Sequence, residues 1–157
     1  MYSRLLVALD GTETSRLALA HATHLARLTG ASVVLLHVLE TFKHISGFET
    51  AELFIHDVLP HMRASGRALL DDAATRLRAE GIDVETVLLE NTTERVSDAI
   101  VHQAVESHCD LVLLGTHGRR GMDRLLLGSD AEQVVRIAPV PVLLVRKPGQ
   151  GPATGAG

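Results

Sequence analysis

Asp110-Leu111-Val112-Leu113-Leu114-Gly115-Thr116-His117-Gly118 and, nine residues further on, Gly128-Ser129 decide how this chain is read. The apolar run from Leu111 to Leu114 has the length and character of a buried strand. Two glycines just past its end let backbone come close to a ligand, because neither carries a Cβ. A third glycine beside a hydroxyl residue, Gly128-Ser129, opens a short helical pattern from Asp130 to Ile137. A helix start offers unbonded N–H groups and the positive end of a dipole, which together suit phosphate. With glycine at about 7% of residues, the spacing G-x2-G-x9-G-[S/T] arises by chance in roughly one chain of this length in a hundred.

The rest of the chain repeats the strand-then-helix order. Arg4 to Asp10 reads as a first strand, and Gly11-Thr12-Glu13-Thr14 turns into a helix that Gly30 stops. Leu17, Ala18, Ala22, Leu25 and Leu28 give that helix its apolar stripe. Ala31 to Leu39 is a second buried strand, followed by an irregular connection from Glu40 to Thr50. A long helical stretch runs to about Glu80, with a break expected near Pro60. Ile82 to Leu89 alternates at first and reads as an edge strand. Asn91-Thr92-Thr93 supplies N-cap residues for a helix carrying Val96, Ile100 and Ala104. Asp110 to Leu114 and Val140 to Val145 complete five strands. Strands alternating with helices imply right-handed βαβ units and a parallel sheet covered on both faces. Ligands in such sheets bind beyond the carboxyl ends of the strands, where strand order reverses. If the first and fourth strands are neighbours, Asp10 lies beside the Gly115 loop.

Composition narrows the function. The chain has 157 residues, enough for one domain with a substantial core. Fifteen basic residues against nineteen acidic ones give a net charge of −4, so the electrostatic footprint of a nucleic-acid binder is missing. No apolar stretch approaches membrane-spanning length, and the N-terminus enters a strand at once without a signal-peptide pattern. A cytoplasmic location is the expectation. The single cysteine, Cys109, adjoins the fourth strand and reads as a small core residue. Of the nine histidines only His21 and His24 have a facing helical spacing, and nothing places two further ligands beside them. Ser129 lacks the base and orienting acid of a nucleophilic triad. The loop after the fourth strand also lacks the Gly-Lys-Ser/Thr of a phosphoryl-transfer loop.

Taken together, Leu6-Val7-Ala8-Leu9-Asp10-Gly11-Thr12, Leu36-His37-Val38, Asp110 to Gly118, Gly128-Ser129 and Pro139-Val140-Pro141-Val142-Leu143-Leu144-Val145-Arg146 resemble the universal stress protein family. The resemblance covers residues 3–147, so a domain over 1–147 and a flexible Gly/Pro/Ala-rich tail over 148–157 are expected. It implies an α/β three-layer sandwich of the adenine nucleotide alpha hydrolase-like kind. The sheet would have five parallel strands in the order 3-2-1-4-5. Because all three glycines are kept, it implies the ATP-binding branch. In that branch Asp10 would contact ribose. The backbone of Val38 would recognise adenine, with Ala8 lining the pocket, and Gly115, His117, Gly118, Gly128 and Ser129 would surround ribose and phosphates. The family also implies a homodimer through the last strand, Pro141 to Val145.

One departure is Asp130, where that branch usually has a small or β-branched neutral residue. A carboxylate there repels a triphosphate unless it points away or recruits a divalent ion, so Mg²⁺ is an expected companion of ATP. Arg119 and Arg120 are candidates for screening phosphate charge. Three readings stay open: a nucleotide-dependent regulatory module with slow or no hydrolysis, a weak ATPase, and a protein-interaction module with a vestigial or different-nucleotide pocket. For the last, an unidentified protein partner would meet the segment Glu40–Pro60, which holds all three phenylalanines, Phe42, Phe48 and Phe54.

Overall fold

Five strands pair in parallel: the inner runs of β-branched and leucine residues are apolar on both faces, while the third strand carries exposed Glu85 and Glu90. In the computed structural model, which describes residues 1–41, 51–91, 93–117 and 127–148, these are β1 (Arg4–Ala8), β2 (Ser32–Glu40), β3 (Val84–Asn91), β4 (Leu111–Gly115) and β5 (Val142–Val145). The sheet order is β3-β2-β1-β4-β5, as the resemblance implied. Chain order reverses between β1 and β4, which pair directly through Leu5–Leu111, Leu6–Val112 and Val7–Leu113.

The strand residues alternate between two cores. On one face Leu5, Val7, Val33, Leu35, Leu111 and Leu113 pack beneath α1 (Glu13–Thr29) and α2 (Leu59–Ala79). On the other, Leu6, Val34, Leu36, Val112 and Leu114 meet α3 (Val96–Glu106) and α4 (Ser129–Ile137). Burying each large aliphatic side chain contributes about 1.5–3 kcal/mol. The helices are therefore held mainly by their apolar faces.

Local chemistry sets most boundaries. Thr12 caps α1, its hydroxyl accepting from the Ser15 N–H at 3.3 Å. The buried stripe of α1 is Ala18, Ala22 and Ala26, with Leu17 and Leu25 leaning on it. Leu28 does not belong to that stripe. It is 70% exposed, because three residues beyond Leu25 the helix has turned past the sheet. The break expected near Pro60 does not occur: helical backbone runs from Ala51 through a π-helical turn, Phe54–Val58, directly into α2, and Pro60 follows that turn. The cap predicted at Asn91-Thr92-Thr93 is displaced. Asn91 is still in β3, and Arg95, whose side chain makes no cap bond, occupies the N-cap position of α3.

Phe54 is buried, so it serves the core rather than a partner-facing surface. Phe42 and Phe48 lie outside the described residues, as do Gly118, Arg119, Arg120 and the tail from residue 149. Cys109 is buried, as its sequence context suggested, and burial pushes its thiol up to about 11.

Candidate functional site

The carboxyl edge of β1, β2 and β4 gathers the residues that the sequence singled out. Its geometry follows from how the β1–β2 ladder ends. The last paired residues are Ala8 and Leu36, and one step on the Leu9 N–H donates to the Leu36 carbonyl at 2.8 Å. Backbone groups of successive strand residues point alternately to the two neighbouring strands. The Ser32 N–H donates to the Ser3 carbonyl on the β1 side, and the Val33 N–H donates to the Asp83 carbonyl on the β3 side. Even-numbered residues of β2 therefore face β1. Val38 is one of them, so its N–H and C=O point to where β1 would continue.

The chain does not continue there. Gly11, at a φ of 81°, adopts a left-handed conformation that turns the backbone away from β2 and into α1. In an unbroken parallel ladder the Leu9 carbonyl would accept from the Val38 N–H. Here it accepts instead from His37 Nδ1–H at 2.6 Å. Among the described residues no backbone group takes the Val38 N–H. Beside this donor–acceptor pair lie apolar side chains of the α3/α4 face. Ala8, Val38, Leu89 and Leu127 are partly buried against the α3/α4 core.

Asp10, two residues past the end of β1, is half-buried. One carboxylate oxygen accepts from the Thr12 N–H at 2.9 Å and from the Thr12 hydroxyl. A carboxylate offers about four acceptor positions, so these bonds orient the group without exhausting it.

The loop after β4 is pinned to α1. The Thr14 hydroxyl donates to the His117 carbonyl at 2.6 Å. A Cβ on Gly115 would stand 2.4 Å from Thr14 Oγ1 and 2.8 Å from the Thr14 carbonyl carbon. The missing side chain at Gly115 is thus taken up by the first turn of α1. The chain returns where the Gly128 N–H donates to the Thr116 carbonyl at 2.8 Å, which brings the start of α4 to the end of β4. Gly128 is the N-cap of α4, with no side-chain cap, and the helix begins with exposed Ser129 and Asp130. Its first N–H groups and dipole point toward the β1 and β4 ends.

Ala8, Asp10, Val38, Gly115, His117, Gly128, Ser129 and Asp130 therefore share one edge, and Gly118 lies outside the described residues. Thr116 and Leu127 were not singled out in the sequence. Strand alternation alone places Thr116 on the same face as Val112 and Leu114. Its hydroxyl is fully buried, and so is that of Ser97 in the first turn of α3. Neither has a hydrogen-bond partner among the described residues. Buried hydroxyls without partners are uncommon and call for a polar neighbour.

At the carboxyl end of β3 the hydrogen-bonded Arg63 guanidinium holds the Glu90 carboxyl below the usual carboxylate range. Burial raises the Asp110 carboxyl, but hydrogen bonds from Ser3 and Arg4 outweigh it and hold the group below the usual carboxylate range. Asp110 precedes β4, at the opposite edge of the sheet. Among the described residues no group of three or more His, Cys, Asp or Glu side chains is arranged to hold a metal ion. No described helix is long and apolar enough to cross a membrane.

A parallel sheet in this order, with helices on both faces and a helix N-terminus near its switch point, defines a doubly wound α/β fold. The universal stress protein family model matches residues 1–146, and the chain belongs to that family. It is 32% identical over 149 residues to a universal stress protein of Thermus aquaticus, covering 93% of this chain and 100% of that one. Among solved structures, a universal stress protein family member from Burkholderia pseudomallei superposes with a TM-score of 0.74 at 31% identity, covering 92% of this chain and 96% of that one. A universal stress protein from Archaeoglobus fulgidus in complex with dAMP superposes with a TM-score of 0.62 at 27% identity, covering 92% and 98%. Another, in complex with cAMP, gives 0.67 at 25% identity, covering 92% and 97%.

Proposed function

We propose that this protein binds an adenine nucleotide, ATP with Mg²⁺ in its working form, and acts as a nucleotide-dependent regulatory module of the cytoplasm with slow or no hydrolysis. The observation that carries the reading is the Val38 N–H and C=O, facing past the end of the β1–β2 ladder beside the apolar side chains of Ala8, Leu89 and Leu127. Adenine presents an acceptor at N1 next to a donor at N6, which complements one extended residue's N–H and C=O. The flat base suits the partly buried apolar side chains of Ala8, Val38, Leu89 and Leu127. Asp10 accepts from ribose hydroxyls. The start of α4 at Gly128-Ser129, with Gly115, His117 and Gly118, holds the phosphates. Asp130, exposed in the first turn of α4, faces that charge best through a divalent ion. The dAMP and cAMP complexes of related proteins support the choice of base.

Calorimetric titration of Mg·ATP into nucleotide-stripped protein tests this directly. Saturable binding is expected, and it should disappear in a Gly118→Ala/Gly128→Ala double variant whose circular dichroism is unchanged. Silence of the intact protein toward ATP, ADP, AMP and cyclic nucleotides would sink the reading.

The same reading includes a two-fold homodimer. β5 is an edge strand whose Val142, Leu143 and Leu144 remain half-buried. An apolar sheet edge of this kind pairs readily with another strand. Sedimentation at micromolar concentration should give a dimer, converted to monomer by Leu144→Lys; a monomeric wild type refutes the assignment.

A further inference from the structure

The Leu9 carbonyl has two potential donors, and its choice decides what the Val38 backbone can do. Ladder geometry favours the Val38 N–H. The structure gives the carbonyl to His37 Nδ1 instead, at 2.6 Å. A carbonyl only accepts, so Nδ1 carries the proton in this contact. His37 is 5% exposed and lies on the α1/α2 side of the sheet, on the face opposite Val38. Space for its ring comes from α2. A Cβ on Gly66 would stand 2.8 Å from His37 Cδ2 and 2.8 Å from Leu88 Cδ1. The polar ring of the residue before Val38 is thus held, by a helix lacking one side chain, against the carbonyl of the residue before Asp10.

We propose that His37 is a positioning and base-specificity residue: by occupying the Leu9 carbonyl, it keeps the Val38 N–H and C=O together as a donor–acceptor pair for adenine. The proposal rests on the nucleotide reading above for its ligand, but its structural half stands on the ladder alone. With the imidazole in place, β1 and β2 are fastened at their ends without using the Val38 N–H. Without it, a buried carbonyl is left unpartnered, and the nearest remaining donor in register is that N–H. The ladder then closes one step further, and the donor that meets N1 is lost. Guanine offers a donor at N1 and an acceptor at O6, the reverse of adenine, so the intact pair discriminates between the two bases.

Three variants separate this role from simple packing. His37→Phe keeps the ring volume and removes the donor. His37→Asn places an amide N–H near the position of Nδ1. Gly66→Ala leaves His37 intact but crowds its ring. In free protein, hydrogen exchange at the Val38 amide, followed by NMR, should be fast in the wild type. It should slow at least tenfold in His37→Phe and return to fast in His37→Asn. ATP affinity should fall about tenfold in His37→Phe, the equivalent of one hydrogen bond. The preference for ATP over GTP should shrink with it and recover in His37→Asn. Gly66→Ala should shift Val38 exchange in the same direction as His37→Phe.

A protected Val38 amide in the wild type overturns the proposal without any variant. So does unchanged Val38 exchange in a folded His37→Phe, whatever happens to its melting temperature. If the wild type binds no adenine nucleotide while Val38 exchange behaves as stated, the ligand assignment fails and the ladder role of His37 stands.

Discussion

Gly115→Ala isolates the contact that fastens the β4 loop to α1. The added methyl would sit 2.4 Å from Thr14 Oγ1, 2.7 Å from Thr14 Cβ and 2.8 Å from the Thr14 carbonyl carbon. The hydroxyl can rotate away only by abandoning the His117 carbonyl, which it now reaches at 2.6 Å. The carbonyl carbon is helix backbone and cannot move without shifting the start of α1. Forcing a methyl into filled space costs about 1–3 kcal/mol. The lost hydrogen bond adds about 1 kcal/mol. The sum is a destabilisation of about 2–4 kcal/mol. At roughly 2–4 °C per kcal/mol for a chain of this size, the melting temperature falls by at least about 4 °C. Urea unfolding of wild type, Gly115→Ala, Thr14→Ala and the double variant measures it. Removing Oγ1 relieves the shortest of the three contacts, so Gly115→Ala should cost at least about 1 kcal/mol less in the Thr14→Ala background than alone. Strict additivity, or a Gly115→Ala variant within 0.5 kcal/mol of wild type as an ordinary surface change would be (about ±0.5 kcal/mol), refutes the reasoning.

Cys109, with its thiol pushed up to about 11 by burial, should resist a thiol reagent at pH 8 in the native state and react at full rate in urea; rapid native labelling would contradict its burial. Asp110 is held below the ordinary carboxylate value, so its contribution to stability is present above that value and is lost as pH falls through its folded pKa. Asp110→Asn should therefore be less stable than wild type at pH 7, with the gap in urea midpoint closing in acid; a gap independent of pH would count against the charge. Asp130→Val should raise ATP affinity without Mg²⁺ by about fivefold, the effect of removing roughly 1 kcal/mol of repulsion at a surface site, and should weaken the Mg²⁺ dependence. An unchanged Mg²⁺ dependence in calorimetry would mean that Asp130 faces away from the phosphates.

Most of the fold was legible because apolar runs bounded by glycine leave little choice of strand or helix. The order of the sheet, with β1 beside β4, came from family resemblance, since strand periodicity carries no information about neighbours. Leu28 was misplaced because a three- and four-residue rule counts apolar positions without knowing where the sheet ends beneath the helix. The cap expected at Asn91-Thr92-Thr93 gave way because β3 pairs with β2 through Glu40 and Asn91, so tertiary pairing overrode a local cap signal. Gly115 was flagged for the right property, its missing Cβ. The neighbour that needs the space is Thr14, 101 residues away in sequence and invisible to any local rule. His37 reads as a structural residue in sequence. That its ring captures the carbonyl next to Asp10 depends on a register between two strands and a glycine in α2.

The central position of β1 has a consequence for synthesis. Emerging from the ribosome, β1 can pair with β2 as soon as that strand is out, but its other edge waits for Leu111. At translation speeds of about 5–20 residues per second, the intervening stretch takes roughly 4–15 s to appear. Throughout that interval Leu5, Leu6 and Val7 present unpaired backbone on a strand whose one charged residue is Arg4. The nascent chain is therefore most vulnerable to aggregation, and most dependent on chaperone cover, before its fourth strand exists.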